Sequence, residues 1–316
     1  MNVNNNIVIS EHVPLHDKNW FATGGPARYF AAPTTAEELQ EALAFAQKRD
    51  LELFILGKGA NILISDNGFD GLVIQPHLKQ ISLDKEQSLL TAGSGVSMND
   101  LINYCLNHHL IGLEEFSGIP GTVGGSVFIN LHYFNFLLEQ FIVEARVIHK
   151  NTCEIKIVDR SWFQFGYNYS RLHSEPYLLI DATFQLKPAD DLMIAYAQGR
   201  RDEIIRHRQA RYPTQKTCGS FFRNFFDHEV TLEENNGKKM IYVAYYLDKL
   251  GIKGQLQVGG AKVSHQHANM IINLGHATSN DILELARTIQ LLVQKNYGII
   301  PKPECQLIGF KEYPLL

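Results

Sequence analysis

Residues Gly118 to Gly125 read Gly-Ile-Pro-Gly-Thr-Val-Gly-Gly, four glycines around one proline. Glycine admits positive φ and lets a ligand lie against bare backbone, and proline fixes the turn between. N–H groups held in such a loop form a concave nest suited to a pyrophosphate. A tight loop between buried segments is the plainer reading of the same residues. A second glycine loop, Gly57-Lys58-Gly59-Ala60-Asn61, follows directly on the apolar run Leu51 to Leu56. Two such loops within the first 125 residues point to a bound dinucleotide.

Three further stretches carry groups capable of chemistry. Cys218-Gly219-Ser220-Phe221-Phe222-Arg223-Asn224 places a serine after glycine and before two aromatics. It is either an ordinary turn with a hydrophobic anchor or a reactive hydroxyl, and it lacks the Gly-x-Ser-x-Gly pattern of a hydrolase elbow. Gly259-Gly260-Ala261-Lys262-Val263-Ser264 is followed by His265, His267 and Asn269. No acidic partner accompanies the two histidines, so no metal is expected there. Pro301-Lys302-Pro303-Glu304 fixes a carboxylate between prolines and a terminal strand, Gln306 to Phe310.

The elements needed to hold these groups are legible from periodicity. Thr35 and Glu38 have capping-box spacing ahead of a helix with Leu39, Ala42, Leu43 and Ala46 on one face. Leu51 to Leu56 reads as a buried strand, and Ile62 to Ile64 as another. The Gly57–Asn61 loop thus lies at a strand end, a favoured place for phosphate. It is not Gly-x-Gly-x-x-Gly and no helix opens after it, so an ordinary Rossmann fold fits poorly. Strands are expected over Leu72–Gln75, Leu89–Ala92, Ile142–His149, Glu154–Val158 and Tyr177–Leu186, with a helix from Met98 to His109 capped near Ser97. Pro188-Ala189-Asp190-Asp191 is the best boundary. Beyond it come helices over Leu192–Arg211, Ile241–Leu250 and Ser279–Asn296. Arg200, Arg201, Arg206 and Arg208 read as a solvated face of the first, and Leu283, Leu285, Ile289 and Leu292 as the buried stripe of the last.

Composition bounds the function. The chain has 316 residues, 45% of them apolar, enough for two or three packed units. A net charge of −4 argues against a nucleic-acid surface while leaving room for a small anionic ligand. No run approaches the ~20 apolar residues of a membrane helix, and no secretory signal opens the chain. Cys105, Cys153, Cys218 and Cys305 form no Cys-x-x-Cys pair, which argues against disulfides and zinc. A cytoplasmic protein without a membrane or nucleic-acid partner is expected.

Taken in order, Gly24-Gly25-Pro26-Ala27, Gly57-x-Gly-x-Asn61, Ser117 through Gly125, Phe165-Gly166-Tyr167, Gly219-Ser220-Phe221-x-x-Asn224, Gly259-Gly260-Ala261-x-Val263-Ser264, His267-Ala268-Asn269 and Pro303-Glu304 resemble the UDP-N-acetylenolpyruvoylglucosamine reductase family. These flavoenzymes complete UDP-N-acetylmuramate in peptidoglycan synthesis. The resemblance spans residues 18 to 310, nearly the whole chain, and favours the compact subtype because no long insertion lies between Tyr167 and Ser220.

The resemblance implies an α+β protein with an FAD-binding fold of the vanillyl-alcohol-oxidase type. Residues 1–187 would bind FAD in two subdomains, 18–75 and 76–187, and 188–316 would form an α+β substrate domain. Gly57, Gly59, Ala60, Asn61, Ser117, Gly118, Ile119, Pro120, Gly121, Thr122, Gly124 and Gly125 would wrap the cofactor. NADPH would reduce the flavin and leave, and the UDP-sugar would enter the same cleft of a monomer. Ser220 matches the family's proton donor, and Glu304 its essential acid. Tyr167 and Asn224 fall in the substrate cleft.

Three departures stand out. The family's arginine after Phe-Gly-Tyr, which grips the enolpyruvyl carboxylate, is Asn168 here. The Val-Arg after the final Glu is Cys305-Gln306. The small loop after Gly125 reads Asn130-Leu131-His132-Tyr133-Phe134-Asn135. Arg171, Lys262, Arg223 and His132 are candidates to replace the lost cations. Two alternatives are therefore carried: a diverged flavin oxidoreductase acting on another UDP-sugar or enol, and a flavin- or nucleotide-binding protein without turnover.

Overall fold

A computed structural model describes residues 7–213, 216–233 and 237–316. The fold divides into two compact units. One comprises the described residues of Met1–His12, Arg28–Lys58 and Asp70–Arg208; the other, those of Val13–Ala27, Gly59–Phe69 and Gln209–Leu316.

In the first unit, a four-stranded sheet runs in the order Ile9–Pro14, Pro26–Ala31, Phe69–Ile74, Leu53–Ile55. Its Leu53–Ile55 strand lies parallel to Leu72–Ile74, and the connection between them carries the first glycine loop and Ile62–Ile64 in place of a helix. Helix α1 (Ala36–Lys48), which leads into Leu53–Ile55, buries Leu39, Ala42, Leu43 and Ala46. Thr35 Oγ1 accepts from Glu38 N at 3.1 Å, but the Glu38 carboxylate reaches Thr34 N and Oγ1 at 2.6 and 2.8 Å. The reciprocal half of the cap is thus displaced by one residue.

A second, antiparallel sheet orders Ile155–Asp159, Ile142–His149, Tyr177–Gln185, Leu89–Gly93 and Ile81–Asp84. Alternate residues of these strands, including Leu90, Val147 and Phe184, meet α2 (Met98–Asn107) and α3 (Val123–Phe128) in one core. Ser97 caps α2 by accepting from Asp100 N at 3.1 Å. α3 was not expected: it opens inside the long glycine motif. Thr122 supplies its cap, accepting from Gly125 N at 3.2 Å. Glycine tolerates a short helix where neighbouring backbone must come close, and a Cβ on Gly124 would lie 3.1 Å from Ser94 O.

α4 (Asp191–Arg211) begins beneath Asp190, whose carboxylate accepts from Met193 N. Its arginines are not a merely solvated face. Arg200 grips Glu115 through Nε and Nη2, both at 2.9 Å, Arg201 reaches Asn99 at 3.0 Å, and Arg208 Nε donates to Gly118 O at 3.1 Å.

The second unit packs a three-stranded antiparallel sheet (Gln257–Val258, Ala261–Val263, Ile271–Asn273) with α5 (Val243–Lys249) and α6 (Ser279–Tyr297). Ile282, Leu283, Leu285, Ala286, Ile289 and Val293 form the buried stripe of α6. Leu292 is only half-buried, because Val293 completes the i, i+4 row above Ile289. The Asp66 carboxylate receives Ser279 N at 2.9 Å and joins the cap of α6. Ile62–Ile64 pairs in parallel with Gln306–Ile308, so the strand after the first glycine loop takes its neighbour from the end of the fold.

Candidate active site

The Ser117–Gly125 segment enters from a 3-10 turn, Glu114–Phe116, and Ser117 is buried with its hydroxyl donating back to Glu114 O at 2.6 Å. Gly118 takes φ +72°. Ile119 N donates to Phe116 O, Val123 N to Val96 O, Gly124 N to Ser94 O, and Met98 N to Gly121 O. Most N–H groups of the motif are thereby spent inside the protein. Those of Gly118, Gly121 and Thr122 lie outside this network, so the nest expected from sequence narrows to three donors around Pro120.

The first glycine loop meets this one. A Cβ on Gly57 would come 3.0 Å from Thr122 Oγ1. Gly59 has φ +65° and serves a different need, since a Cβ there would strike Lys18 O at 2.4 Å and Asn19 Cα at 2.6 Å. Its carbonyl accepts from Trp20 N at 2.9 Å. Ala60 follows, half-buried. Asn61 is turned toward the chain end: its carbonyl accepts from Gln306 N at 3.0 Å, and its Nδ2 lies 3.4 Å from Glu304 O.

Sequence reasoning passed over several buried polar atoms that donate to or accept from no protein group: Ser94 Oγ, Thr23 Oγ1, Asn19 Oδ1 and Thr217 Oγ1. Ser94 sits between Gly93 and Gly95, and Thr23 precedes Gly24-Gly25. Serine or threonine flanked by glycine was the available signal. Within the first unit, the bare backbone at Gly57 and Gly121 and the orphaned Ser94 hydroxyl fit a ligand rich in acceptor oxygens.

In the second unit, Ser220 bridges Met270 and Phe222 bridges Pro303 in antiparallel fashion. Phe221 O accepts both Glu304 N at 2.8 Å and Cys305 N at 3.3 Å. One carbonyl thus binds the bend of the candidate acid to the residue beside the candidate proton donor. Asn269 secures the same turn. It is buried, accepts from Phe222 N at 3.1 Å, donates to Phe222 O at 2.7 Å, and its carbonyl accepts from Phe221 N. Burial pushes the neighbouring His267 down to about 4, aided by the Arg211 charge.

The remaining candidates fall as follows. Tyr167 and Asn168 lie in a turn closed by Gly166 and Tyr169, and Asn168 has φ +52°. The His132 and Tyr167 rings lie 5.3 Å apart, and burial lowers the His132 imidazole below its ordinary range. Arg171 places its guanidinium over Trp162 at 5.2 Å. Arg223 is committed to Glu229 through two 2.8 Å bonds, which hold that carboxyl down at about 2. Asn224 Oδ1 accepts from Val243 N, the first residue of α5. Lys262 lies half-buried on the central strand of the three-stranded sheet. A polar cavity of about 160 Å³ lined by Gln80, Ser82, Thr91, Arg146 and Asp181 contains none of these residues.

Comparison with known proteins decides what this arrangement belongs to. Residues 27–156 match the FAD binding domain, and residues 211–308 match the UDP-N-acetylenolpyruvoylglucosamine reductase C-terminal domain. The UDP-N-acetylenolpyruvoylglucosamine reductase of Listeria monocytogenes is 31% identical over 96% of both chains. The chain belongs to this reductase family. The Synechocystis reductase is 34% identical, covering 96% of this chain and 91% of its own. The crystal structure of the Thermus caldophilus reductase superposes with a TM-score of 0.77 at 26% identity, over 96% of this chain and 99% of that one. The fold is accordingly the α+β, FAD-binding type with a C-terminal domain of the reductase family, and the protein is an FAD-dependent oxidoreductase. The glycine backbone of the first unit and its orphaned Ser94 hydroxyl fit that cofactor. Among the described residues no helix is long and apolar enough to cross a membrane.

Proposed function

We propose that this chain reduces UDP-N-acetylglucosamine enolpyruvate to UDP-N-acetylmuramate with NADPH. The observation that carries the reading is the double acceptance at Phe221 O, which fastens the segments bearing Ser220 and Glu304 to each other. When bound, FAD supplies the hydride that it has taken from NADPH.

Gly57, Gly118, Gly121 and Thr122 offer backbone and hydroxyl donors to the cofactor phosphates, with Ser94 Oγ beside them. Ser220 Oγ delivers a proton to the acceptor's α-carbon. A hydroxyl is a weak acid, so its contribution depends on placement. The bridge to Met270 and the grip of Asn269 on Phe222 provide that placement. Glu304 acts at the enol stage of the acceptor, in the bend before Gln306–Ile308 that Asn61 and Phe221 hold. Residues 188–316 are assigned to the UDP-sugar. We further assign the protein to the cytoplasm as a monomer, in keeping with a nucleotide-sugar substrate.

Stopped-flow absorbance at the flavin band tests this directly. FAD-loaded protein reduced anaerobically by NADPH should recover its oxidised band within about a second of adding the enolpyruvate, given ordinary turnover of ~1–10³ s⁻¹. Ser220→Ala should leave reduction by NADPH intact and slow the second half-reaction by roughly 10²–10⁴. Unchanged reoxidation in that variant would remove Ser220 from its role, and a wild-type flavin that stays reduced would overturn the assigned acceptor.

A further inference from the structure

Within the second unit, Ser264 to Met270 form a closed turn. Ser264 N donates to Met270 O at 2.8 Å, Met270 N to His267 O at 3.1 Å, and Ser264 Oγ accepts from Gln266 N at 3.1 Å. His267 adds a side-chain bond: its Nδ1 accepts from Asn269 N at 3.2 Å. The imidazole thereby acts as an asparagine or aspartate does in an Asx turn, receiving the N–H two residues on. That bond fixes the tautomer, with the ring proton on Nε2.

The residue so held is the one that fastens the Ser220 turn. Asn269 O accepts from Phe221 N at 2.8 Å, its Oδ1 accepts from Phe222 N, and its Nδ2 donates to Phe222 O. Ser220 itself bridges Met270, the next residue along. Asn269 is buried, and a buried N–H that loses its acceptor is costly. The groups facing the imidazole keep it neutral at pH 7. The Tyr212 ring lies 5.7 Å away, burial and the Arg211 and Lys253 charges oppose a proton, and Asp248 favours one only in part. An imidazolium would turn an N–H against Asn269 N and break the bond.

We propose that His267 is a positioning residue for proton delivery: its Nδ1 holds Asn269, and through Asn269 it sets where Ser220 Oγ stands. The inference rests on the reading of Ser220 as the proton donor.

The test compares two variants of the FAD-loaded full chain. His267→Asn carries its Oδ1 where the imidazole carries Nδ1, and keeps the turn. His267→Gln sets its amide one bond farther out and loses the acceptor. NADPH should reduce the flavin in both, which also shows that both fold. The limiting rate of reoxidation by the enolpyruvate should fall about 10–100-fold in His267→Gln and stay within about threefold of wild type in His267→Asn. Acceptor affinity, from fluorescence titration of the oxidised protein, should hold within about twofold in each. In a Ser220→Ala background, His267→Gln should cost less than about twofold more, because the residue it acts through is gone. Equal losses in the two variants would overturn the proposal, as would a full additional loss in the Ser220→Ala background. Weakened affinity at an unchanged limiting rate would overturn it too, by placing His267 on the acceptor. Imidazole ¹⁵N spectra of wild type need no variant: a protonated Nδ1 on His267 at pH 7 is incompatible with the proposal. If Ser220→Ala reoxidises at the wild-type rate, the proton-donor reading itself fails and takes this proposal with it.

Discussion

Asn269 offers the clearest way to ask whether the Ser220 turn is held as described. Its side chain makes two bonds to one residue, accepting from Phe222 N at 3.1 Å and donating to Phe222 O at 2.7 Å, and both partners are buried. Asn269→Ala strands a donor and an acceptor at about 1–3 kcal/mol each, or roughly 2–6 kcal/mol in all. Set against a total stability of about 5–15 kcal/mol, that is a large fraction. At roughly 2–4 °C per kcal/mol for a fold of this size, the midpoint of thermal unfolding should drop by about 5–20 °C. Function should suffer selectively, because Ser220 is two residues from the released carbonyl: reduction by NADPH proceeds, while reoxidation by the enolpyruvate slows by roughly 10–100-fold. Asn269→Asp sharpens the comparison. It keeps the acceptor for Phe222 N but sets a carboxylate against Phe222 O, so its loss should approach that of alanine. Circular dichroism melts and the two half-reactions supply the readings. A midpoint within about 2 °C of wild type, with reoxidation unchanged, would refute the claim that Asn269 positions this turn.

Four other outcomes follow from the same geometry. Gly59→Ala puts a Cβ 2.4 Å from Lys18 O at φ +65°, so it should cost about 2 kcal/mol or more, read as a lower urea midpoint at unchanged m-value. Arg208→Met removes the donor at Gly118 O and should weaken FAD retention, measured by flavin fluorescence on dilution, with little change in the melting of FAD-free protein. Arg200→Lys replaces a half-exposed two-point grip on Glu115 and should change stability by less than about 1 kcal/mol. His267 has a folded pKa of about 4, below its unfolded value, so the unfolded chain binds the extra proton between pH 6.5 and 4. Stability should therefore fall as pH drops through that window, by about 1–3 kcal/mol, and His267→Gln should flatten the slope. His132 and His173 are lowered in the same direction, so the slope will not vanish entirely.

Local signals in the chain were read well where physics is local. The cap at Ser97, the face of α1 and the strand Ile142–His149 depend on neighbours within a few residues. What escaped was decided at long range. Asn61 ends a glycine loop, and its carbonyl and amide reach Gln306 and Glu304 at the far end of the chain, which nothing local announces. α3 was hidden because glycine has poor helix propensity; tight packing of Gly124 on Ser94 overrides that. The α4 arginines looked solvated because nothing in a helix face announces Glu115 or Gly118 as partners. Arg223 lies against Glu229 and Arg171 over Trp162, partners that no local pattern announces.

The parallel pairing of Ile62–Ile64 with Gln306–Ile308 has a consequence for how the polypeptide is made. About 240 residues separate the two strands, and at synthesis rates of roughly 5–20 residues per second the earlier one waits about 10–50 s for its mate. During that interval Leu63, wholly enclosed in the finished molecule, has no strand to lie against. The segments Val13–Ala27 and Gly59–Phe69 share the wait, since their own unit is completed by Gln209–Leu316. Ribosome-bound chains stalled before residue 300 should therefore be cut by protease within 59–69, and chains released at full length should not. In a growing cell these few residues are the exposed flank of every nascent copy, and the place where a chaperone would first be needed.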